Sequence, residues 1–158
     1  MKIAIVADSH GDVSMLVNKL DLLKDCDLLI HLGDYDSDVD QISKFLDIKM
    51  EVVRGNNDYS SRFDKDKVLN IEGHKIFLTH GNNYNVYFGL ERLYYKAKDL
   101  GADIVLYGHT HYYYYEDLGD VKILNPGSLS LPRDDKKSFV IMEIDQADVK
   151  IKRIEENT

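Results

Sequence analysis

Short apolar runs that end abruptly in polar residues and glycine recur along this chain. The clearest example is Ile104 to Leu106, which passes through Tyr107 and Gly108 into His109 and His111. An apolar run of this length beside turn residues is typical of a buried β-strand. In an open α/β sheet, the loops after the carboxyl ends of the strands form the ligand site. The pattern therefore predicts a sheet that presents polar side chains along one edge.

The first half of the chain alternates strands with amphipathic helices. Apolar runs at 2–7, 28–30 and 50–53 predict three strands. Apolar residues spaced by three and four predict a helix capped by Asp12 after the first strand, and another over 39–46 after the second. Strands that alternate with helices imply right-handed crossovers and a parallel sheet.

The second half of the chain carries hairpin signals and one long helical pattern. Its predicted elements are a hairpin of 68–71 and 75–79, a helix over 86–100 that ends at Gly101, strands at 112–118 and 121–124, and a terminal hairpin of 139–144 and 149–154. These strands are too many for one flat sheet in a chain of this size. We therefore predict a single domain over residues 1–158, of class α/β, built as a four-layer α/β/β/α sandwich of two stacked mixed sheets with helices outside.

Composition and charge exclude several classes of protein. The 158 residues are 44% hydrophobic and 30% charged, which is ordinary for a globular domain. A formal charge of -8 argues against a nucleic-acid or anionic-membrane surface, because both need a basic face. The single cysteine, Cys26, excludes an internal disulfide and a thiolate-rich zinc site. The apolar start is too short for a signal peptide, so we expect a cytoplasmic protein.

Seven side chains of metal-ligand type follow the predicted strands. They are Asp8, His10, Asp34, Asn56, His80, His109 and His111. Side chains two apart in an extended segment point the same way, so we expect the pairs at 8 and 10 and at 109 and 111 to converge. Seven ligands are more than one tetrahedral ion can bind, whereas two ions that share a carboxylate would use them all. Imidazole, carboxylate and amide ligands without sulfur favour manganese, with nickel, iron, cobalt or zinc as alternatives.

The charge of such a centre indicates the substrate class. Two divalent ions carry four positive charges, and Asp8 with Asp34 removes two of them. A bridging hydroxide and a phosphodiester, with one negative charge each, would neutralise the remainder. Since Arg54 and Arg133 would add positive charge, the count favours phosphate esters in general and diesters only weakly.

The ordered set of motifs resembles the five sequence blocks of the calcineurin-like metallophosphoesterases. These blocks are Asp8-x-His10, Gly33-Asp34, Gly55-Asn56, His80-Gly81 and Gly108-His109-x-His111. The chain length and the loop from Asn125 to Arg133 are most similar to the small prokaryotic phosphodiesterase branch. The resemblance implies one metal held by Asp8, His10, Asp34 and His111, and a second held by Asp34, Asn56, His80 and His109.

The resemblance also implies two-metal hydrolysis, in which a bridging hydroxide attacks phosphorus in line. Asp34 would bridge the two ions, and the predicted catalytic residues are Asp34, Asn56 and His80. We predict substrate contacts for Asn57, Asn125, Ser128 and Arg133, and a supporting role behind the ligands for His31 and Asp58. The expected partner is a small-molecule phosphate ester.

The chain departs from most of the superfamily at two positions. Asn57 stands where a histidine near the leaving group is usual, and Ser37 stands where an aspartate often orients that histidine. Small phosphodiesterases of this branch commonly lack that histidine, so a phosphodiesterase remains the predicted activity. The alternatives are a phosphomonoesterase or nucleotide phosphatase on the same site, and a non-catalytic protein-binding scaffold like the retromer subunit. A scaffold of that kind would be expected to lose metal-binding histidines.

Four consecutive tyrosines suggest a further contact surface. Tyr112 to Tyr115 lie in a predicted strand, where two would pack inward and two would face out. An outward aromatic pair is typical of an interface between protein chains. We therefore predict a half-buried edge strand, whose outward aromatic pair would line a homodimer contact or a substrate cleft.

Overall fold

The computed structural model describes residues 1–158 and contains ten strands and four short α-helices. The strands are β1 (Lys2–Val6), β2 (Leu28–His31), β3 (Lys49–Val52), β4 (Asp66–Ile71), β5 (His74–Thr79), β6 (Ile104–Leu106), β7 (Tyr113–Asp117), β8 (Lys122–Pro126), β9 (Lys136–Ile144) and β10 (Val149–Asn157). The helices are α1 (Ser14–Asn18), α2 (Leu20–Leu23), α3 (Asp38–Ile42) and α4 (Glu91–Leu100), and 3₁₀ turns cover Asn82–Tyr84 and Val86–Phe88. None of the helices is long and apolar enough to cross a membrane.

The strands form two mixed sheets of five. The first has the order β10-β9-β1-β2-β3, with parallel pairing from β1 to β3 and antiparallel pairing of β9 with β1 and β10. The second has the order β4-β5-β6-β8-β7, with parallel pairing from β5 through β6 to β8 and antiparallel strands at both edges. The carboxyl ends of β1, β2, β5 and β6 therefore point toward shared edges, where the sequence places its polar motifs.

Alternation along the strands builds a layered core. Ile5 of β1 packs between the sheets with Leu106 of β6, whereas Val6 faces the helices of the first sheet beside Leu16. The second sheet is covered on its outer side by α4, where Leu93 packs in the same cluster as its strand residues. Strands buried on both faces explain the near-continuous apolar runs, and each buried Leu or Ile contributes about 1.5–3 kcal/mol. The predicted four-layer sandwich is confirmed.

All three predicted helices are shorter than expected, and the helix predicted over 39–46 ends at Ile42 as α3. The helix after β1 breaks at Lys19 (φ -115°, ψ 21°) into α1 and α2. Asp12 does not cap it, because its carboxylate accepts the Ser14 N–H at 2.9 Å in a local turn. The helix predicted over 86–100 begins only at Glu91, because Gly89 adopts φ 135° and interrupts it.

The tyrosine strand β7 is the outermost strand of its sheet. Only Tyr113 is half-buried, with the Arg153 guanidinium 4.6 Å from its ring centre, whereas Tyr112, Tyr114 and Tyr115 are exposed. The predicted edge strand is confirmed, but one tyrosine rather than two packs inward, because an edge strand has fewer neighbours to cover it. The homodimer contact stays a prediction.

His74 links the turn between β4 and β5 to two other turns of the molecule. Its Nδ1 lies 2.5 Å from the Asp103 carboxylate, and its Nε2 lies 2.9 Å from the Asp145 carbonyl oxygen. Both partners are acceptors, so only the protonated imidazole donates to both. Burial lowers the pKa of His74, but the two hydrogen bonds and the charge of Asp103 outweigh it and raise the pKa overall.

This arrangement predicts a pH-dependent contribution of His74 to stability. Because the folded pKa is raised, the stabilisation is complete below the unfolded pKa and is lost as the pH rises through the folded pKa. We expect His74→Gln to lower the urea midpoint of unfolding at about pH 5, and the difference from the unmodified protein to shrink toward about pH 9. Equal differences at the two pH values would contradict this role.

Candidate metal centre

Four side chains converge at the ends of β1, β2 and β6. The ligand atoms of Asp8, His10, Asp34 and His111 all lie within 4.8 Å of one another. His10 Nε2 is 3.4 Å from His111 Nε2 and 3.7 Å from Asp34 Oδ2. His111 Nε2 is 3.3 Å from Asp8 Oδ1. Two carboxylates and two imidazoles at these separations are a donor set that fits a divalent transition metal.

Two further histidines lie on the other side of Asp34. His80 Nε2 is 3.3 Å from Asp34 Oδ1 and 3.9 Å from Asp8 Oδ1. The ring of His109 meets the ring of His80 edge to face, with 5.0 Å between centres. Asp34 therefore turns one oxygen toward His10 and the other toward His80, which is the position of a carboxylate shared between two groups of ligands.

The backbone holds two of the imidazoles in the form that binds metal. His80 Nδ1 donates to the Leu32 carbonyl and His111 Nδ1 donates to the Leu131 carbonyl, each at 2.7 Å. Because a carbonyl oxygen only accepts, Nδ1 carries the proton in each ring. The Nε2 lone pair of the neutral imidazole then faces the centre, as metal ligation requires.

Two buried atoms of the centre have no hydrogen-bond partner. They are Asp8 Oδ1 and His80 Nε2, which face each other across 3.9 Å. A buried polar group without a partner costs about 1–3 kcal/mol. A cation between these atoms would remove that cost, so the residues present fit a bound metal ion.

Ionisation at the centre also suits a metal. Burial raises the pKa of Asp34, but the electrostatic interaction with His80 and the hydrogen bonds from Asn57 lower it overall. Burial, together with the electrostatic interaction with His80, lowers the pKa of His109. Burial lowers the pKa of His111 too, but the adjacent carboxylate of Asp8 raises it overall, so a proton and a metal compete for its Nε2.

Five of the seven predicted ligands have a left-handed backbone. They are Asp8, His10, Asp34, His109 and His111, whose φ angles lie between 45° and 71°. The segments after β1 and β6 are therefore not extended as expected, and His109 turns toward His80 while His111 turns toward Asp8. Aspartate and histidine tolerate this conformation better than most residues, yet each instance costs about 1–3 kcal/mol. Strain of this kind is concentrated at functional sites.

A family model agrees with this geometry. Residues 1–147 match the model of the calcineurin-like phosphoesterase superfamily domain. The chain belongs to that superfamily. The resemblance predicted from the five sequence blocks is thus confirmed, and the protein is a metallophosphoesterase.

Individual relatives and solved structures are similar over most of their length. The probable metallophosphoesterase YsnB of Bacillus subtilis is 32% identical over 92% of this chain and 85% of its own. The phosphodiesterase MJ0936 of Methanocaldococcus jannaschii is 28% identical over 80% of this chain and 83% of its own. A predicted phosphoesterase of Streptococcus pneumoniae is 30% identical, with a TM-score of 0.80 over 98% of this chain and 88% of its own. A single mutant of Vps29 from Entamoeba histolytica is 26% identical, with a TM-score of 0.80 over 99% of this chain and 100% of its own.

Asp58 holds Asp34 from behind. Its carboxylate accepts the backbone N–H groups of Asp34 (3.0 Å), Tyr35 (2.7 Å), Asp36 (3.1 Å) and Gly55 (2.7 Å). Asp34 and Tyr35 are both left-handed, so their N–H groups turn to one side and form a concave anion site. The carboxylate of Asp58 fills that site and offsets the backbone strain.

Gly55 completes the support of Asp34 by its lack of a side chain. A Cβ atom at Gly55 would lie 2.5 Å from the Asp34 backbone nitrogen and would also collide with the Asp34 carboxylate. Only glycine therefore allows the loop after β3 to approach Asp34 this closely.

His31 supports the centre without facing it. The ring is fully buried, its Nδ1 accepts the Gly33 N–H at 3.2 Å, and its Nε2 therefore donates to Ser9 Oγ at 3.0 Å. Burial lowers the pKa of His31 to about 4, so it remains neutral. His31 thus ties the loop after β1 to the loop after β2.

The two asparagines after β3 occupy different places. Asn57 donates to both oxygens of Asp34, from its backbone N at 3.0 Å and from Nδ2 at 2.6 Å. Asn56 is exposed and its side chain forms no hydrogen bond within the chain. The structure therefore brings Asn57 against the Asp34 carboxylate and leaves Asn56 outside the cluster of ligand side chains.

Asn125 and Ser128 lie where they cannot contact substrate. Both are fully buried. Asn125 donates to the Gly108 carbonyl at 2.8 Å and accepts the Gly127 N–H at 2.9 Å. Ser128 donates to the Asp8 carbonyl at 2.7 Å. Their polar groups are occupied by loop backbone, so the predicted substrate contacts are corrected to positioning of the ligand loops.

Arg133 lies at the rim of the centre and contacts Tyr87, a residue that the sequence did not indicate as part of the site. Its Nη1 donates to the Tyr87 hydroxyl at 2.7 Å, and its backbone N–H donates to the His111 carbonyl at 3.1 Å. The Tyr87 hydroxyl donates to the His109 carbonyl at 3.0 Å, and its ring packs 4.9 Å from the His109 ring. Tyr87 falls within the helix predicted over 86–100, and no local sequence pattern distinguishes it from a core residue.

Proposed function

We propose that this metallophosphoesterase hydrolyses phosphodiesters at a centre of two divalent metal ions. The observation that carries the proposal is the orientation of Asp34, whose two oxygens face two separate groups of histidines. The cluster of Asp8, His10, Asp34 and His111 would hold one ion. His80 and His109 would hold the other together with Asp34 and, after a change of side-chain conformation, the exposed Asn56.

The chain's own residues prepare this centre. Two divalent ions would supply a water of lowered pKa and the positive charge that phosphoryl transfer requires. Asp34 remains ionised, carbonyl groups orient His80 and His111, and Arg133 adds a positive charge at the rim without a carboxylate partner. A guanidinium in that position would attract and orient a phosphate group.

Two arguments favour a diester over the alternatives. A centre with two aspartates keeps two positive charges, which a hydroxide and a singly charged diester balance. A relative with 28% identity is named a phosphodiesterase. The likeness to Vps29 lends little support to a protein-binding scaffold, since a shared fold does not determine function and both histidine groups are present here.

The first test is metal dependence. We expect chelation to abolish hydrolysis of an aryl phosphodiester, and manganese or another transition metal to restore it better than calcium, because imidazole nitrogens outnumber carboxylates. The same ions should raise the unfolding temperature of the stripped protein, since they bind only the folded state. Full activity in chelator would contradict the proposal, and matched phosphomonoesters in the same assay reveal which ester class is preferred.

A second expectation concerns protonation of the leaving group. The Asn57 amide does not titrate, and it is already bound to Asp34. A general acid typically contributes about 10² to 10⁴ in rate, most for a basic leaving group. We therefore expect a steep dependence of the saturated rate on leaving-group pKa, which Asn57→His would flatten if its imidazole reached the leaving oxygen. A shallow slope in the unmodified protein would mean that another group supplies the proton.

A further inference from the structure

A polar hollow opens beside the candidate metal centre, between the loops that follow β2 and β3. Its volume is about 230 Å³. Its lining includes Tyr35, Asp36, Ser37, Asn57, Tyr59 and Ser60. Pockets that hold a whole small ligand usually exceed about 300 Å³, so this hollow suits one substituent of a larger substrate.

The hollow is continuous with the centre through two residues. Asn57, on its wall, donates to Asp34 Oδ2 at 2.6 Å. The ring of Tyr35, also on its wall, lies 5.1 Å from the ring of His10. A phosphate held at the centre would therefore have the hollow within reach of one of its ester groups.

The lining favours hydroxyl groups over apolar ones. Ser37 and Ser60 are exposed in the hollow, and their hydroxyls have no partner within the chain. The Tyr35 and Tyr59 rings are also exposed there, and aromatic rings combine an apolar face with a polar hydroxyl. This mixture complements a sugar or glycerol, which presents hydroxyl groups beside C–H groups.

The charge of the hollow disfavours a second anion. Asp36 and Asp58 both belong to its lining, and Ser61 holds Asp36 in place by a hydrogen bond. No lysine or arginine lies among the lining residues. A substituent with its own phosphate or carboxylate would meet like charge at this position.

From these observations we infer that the hollow is a subsite for an uncharged polyol ester group of the substrate. This inference rests on the proposed phosphodiesterase function and narrows its substrate class. The phosphate would bind at the centre, and the hydroxyls of the polyol would bond with Ser37, Ser60 and the neighbouring amide of Asn57.

Binding of matched phosphonates to the manganese-loaded full chain tests the inference without catalysis. 3,4-Dihydroxybutylphosphonate and butylphosphonate have the same charge and carbon chain, and neither has an ester bond to hydrolyse. We expect the dihydroxy compound to bind about tenfold more tightly by calorimetry, from two hydrogen bonds of ordinary net strength. The variant Ser37→Ala/Ser60→Ala should bring the ratio of the two affinities close to one and leave the affinity for butylphosphonate unchanged. The control variant Ser14→Ala on α1 should change neither affinity.

Several outcomes would overturn the subsite. Equal binding of the two phosphonates, no binding of either, or a ratio that survives in the double variant would each do so. 4-Phosphonobutanoate should bind more weakly than butylphosphonate because of Asp36 and Asp58, and tighter binding would refute an uncharged substituent. Phosphodiester hydrolysis is measured in a separate assay. If the two phosphonates bind with the expected affinity ratio but no phosphodiester is hydrolysed, the proposed function is wrong and the subsite stands. If phosphodiesters are hydrolysed but the two phosphonates bind equally, the subsite is wrong and the proposed function stands.

Discussion

Asp34→Asn is expected to reduce phosphodiester hydrolysis by at least about 10³-fold, a loss at the upper end for one electrostatic contact in an active site. Asp34 is the side chain whose two oxygens face both histidine groups, at 3.7 Å from His10 and 3.3 Å from His80. An amide keeps the shape but removes the charge and offers one acceptor oxygen in place of two. The substitution therefore weakens both proposed ion positions together.

The control variants separate this effect from general damage. Asp64→Asn changes an exposed aspartate in the loop after β3 and should leave the rate unchanged. His31→Ala and Asn57→Ala should cost less than Asp34→Asn, because each supports the centre from one side. The unfolding midpoint of metal-free Asp34→Asn should fall only modestly, because the amide still accepts one of the two hydrogen bonds from Asn57. Equal rate losses in Asp34→Asn, His31→Ala and Asn57→Ala would show that Asp34 does not serve two ions.

The layered fold was predictable because local pattern and global packing agree. Strands buried on both faces, such as β1 and β2, leave near-continuous apolar runs, and the turn at Gly73 marks the hairpin of β4 and β5. Helix lengths were less predictable. The break at Lys19 and the late start at Glu91 depend on local backbone angles that apolar spacing does not report.

The residues of the site could also be predicted from the sequence, but their geometry could not. The motifs identify His109 and His111, yet both were expected to point the same way from an extended segment. Their left-handed backbones send them to opposite sides of Asp34, because tertiary contacts override the strand alternation. Tyr87 and the hollow beside Tyr35 depend on contacts between distant segments, so no local signal could have revealed them.

Asp58 accounts for how the strained segment of Asp34 and Tyr35 is kept in place. Its carboxylate accepts four backbone N–H groups, three of them from consecutive residues that begin at Asp34. Hydrogen bonds to a charged group contribute about 1.5–3 kcal/mol each, and a buried N–H left without a partner is costly. We therefore expect Asp58→Ala to lower the free energy of unfolding by about 3 kcal/mol or more, because Asp34 and Tyr35 would keep their left-handed strain without its compensation.

The same substitution should weaken metal binding, although Asp58 faces away from the cluster. Loss of a group that orients metal ligands typically costs about 10- to 100-fold in affinity or activity. Manganese titrations and urea unfolding would therefore show both losses in Asp58→Ala, and smaller ones in Asp58→Asn, which keeps one acceptor oxygen. Asp64→Ala, an exposed change in the same loop, should show neither. If Asp58→Ala lost stability but bound manganese as tightly as the unmodified protein, the loop would hold Asp34 without this carboxylate, and the positioning role would belong to Asn57 and Gly55 instead.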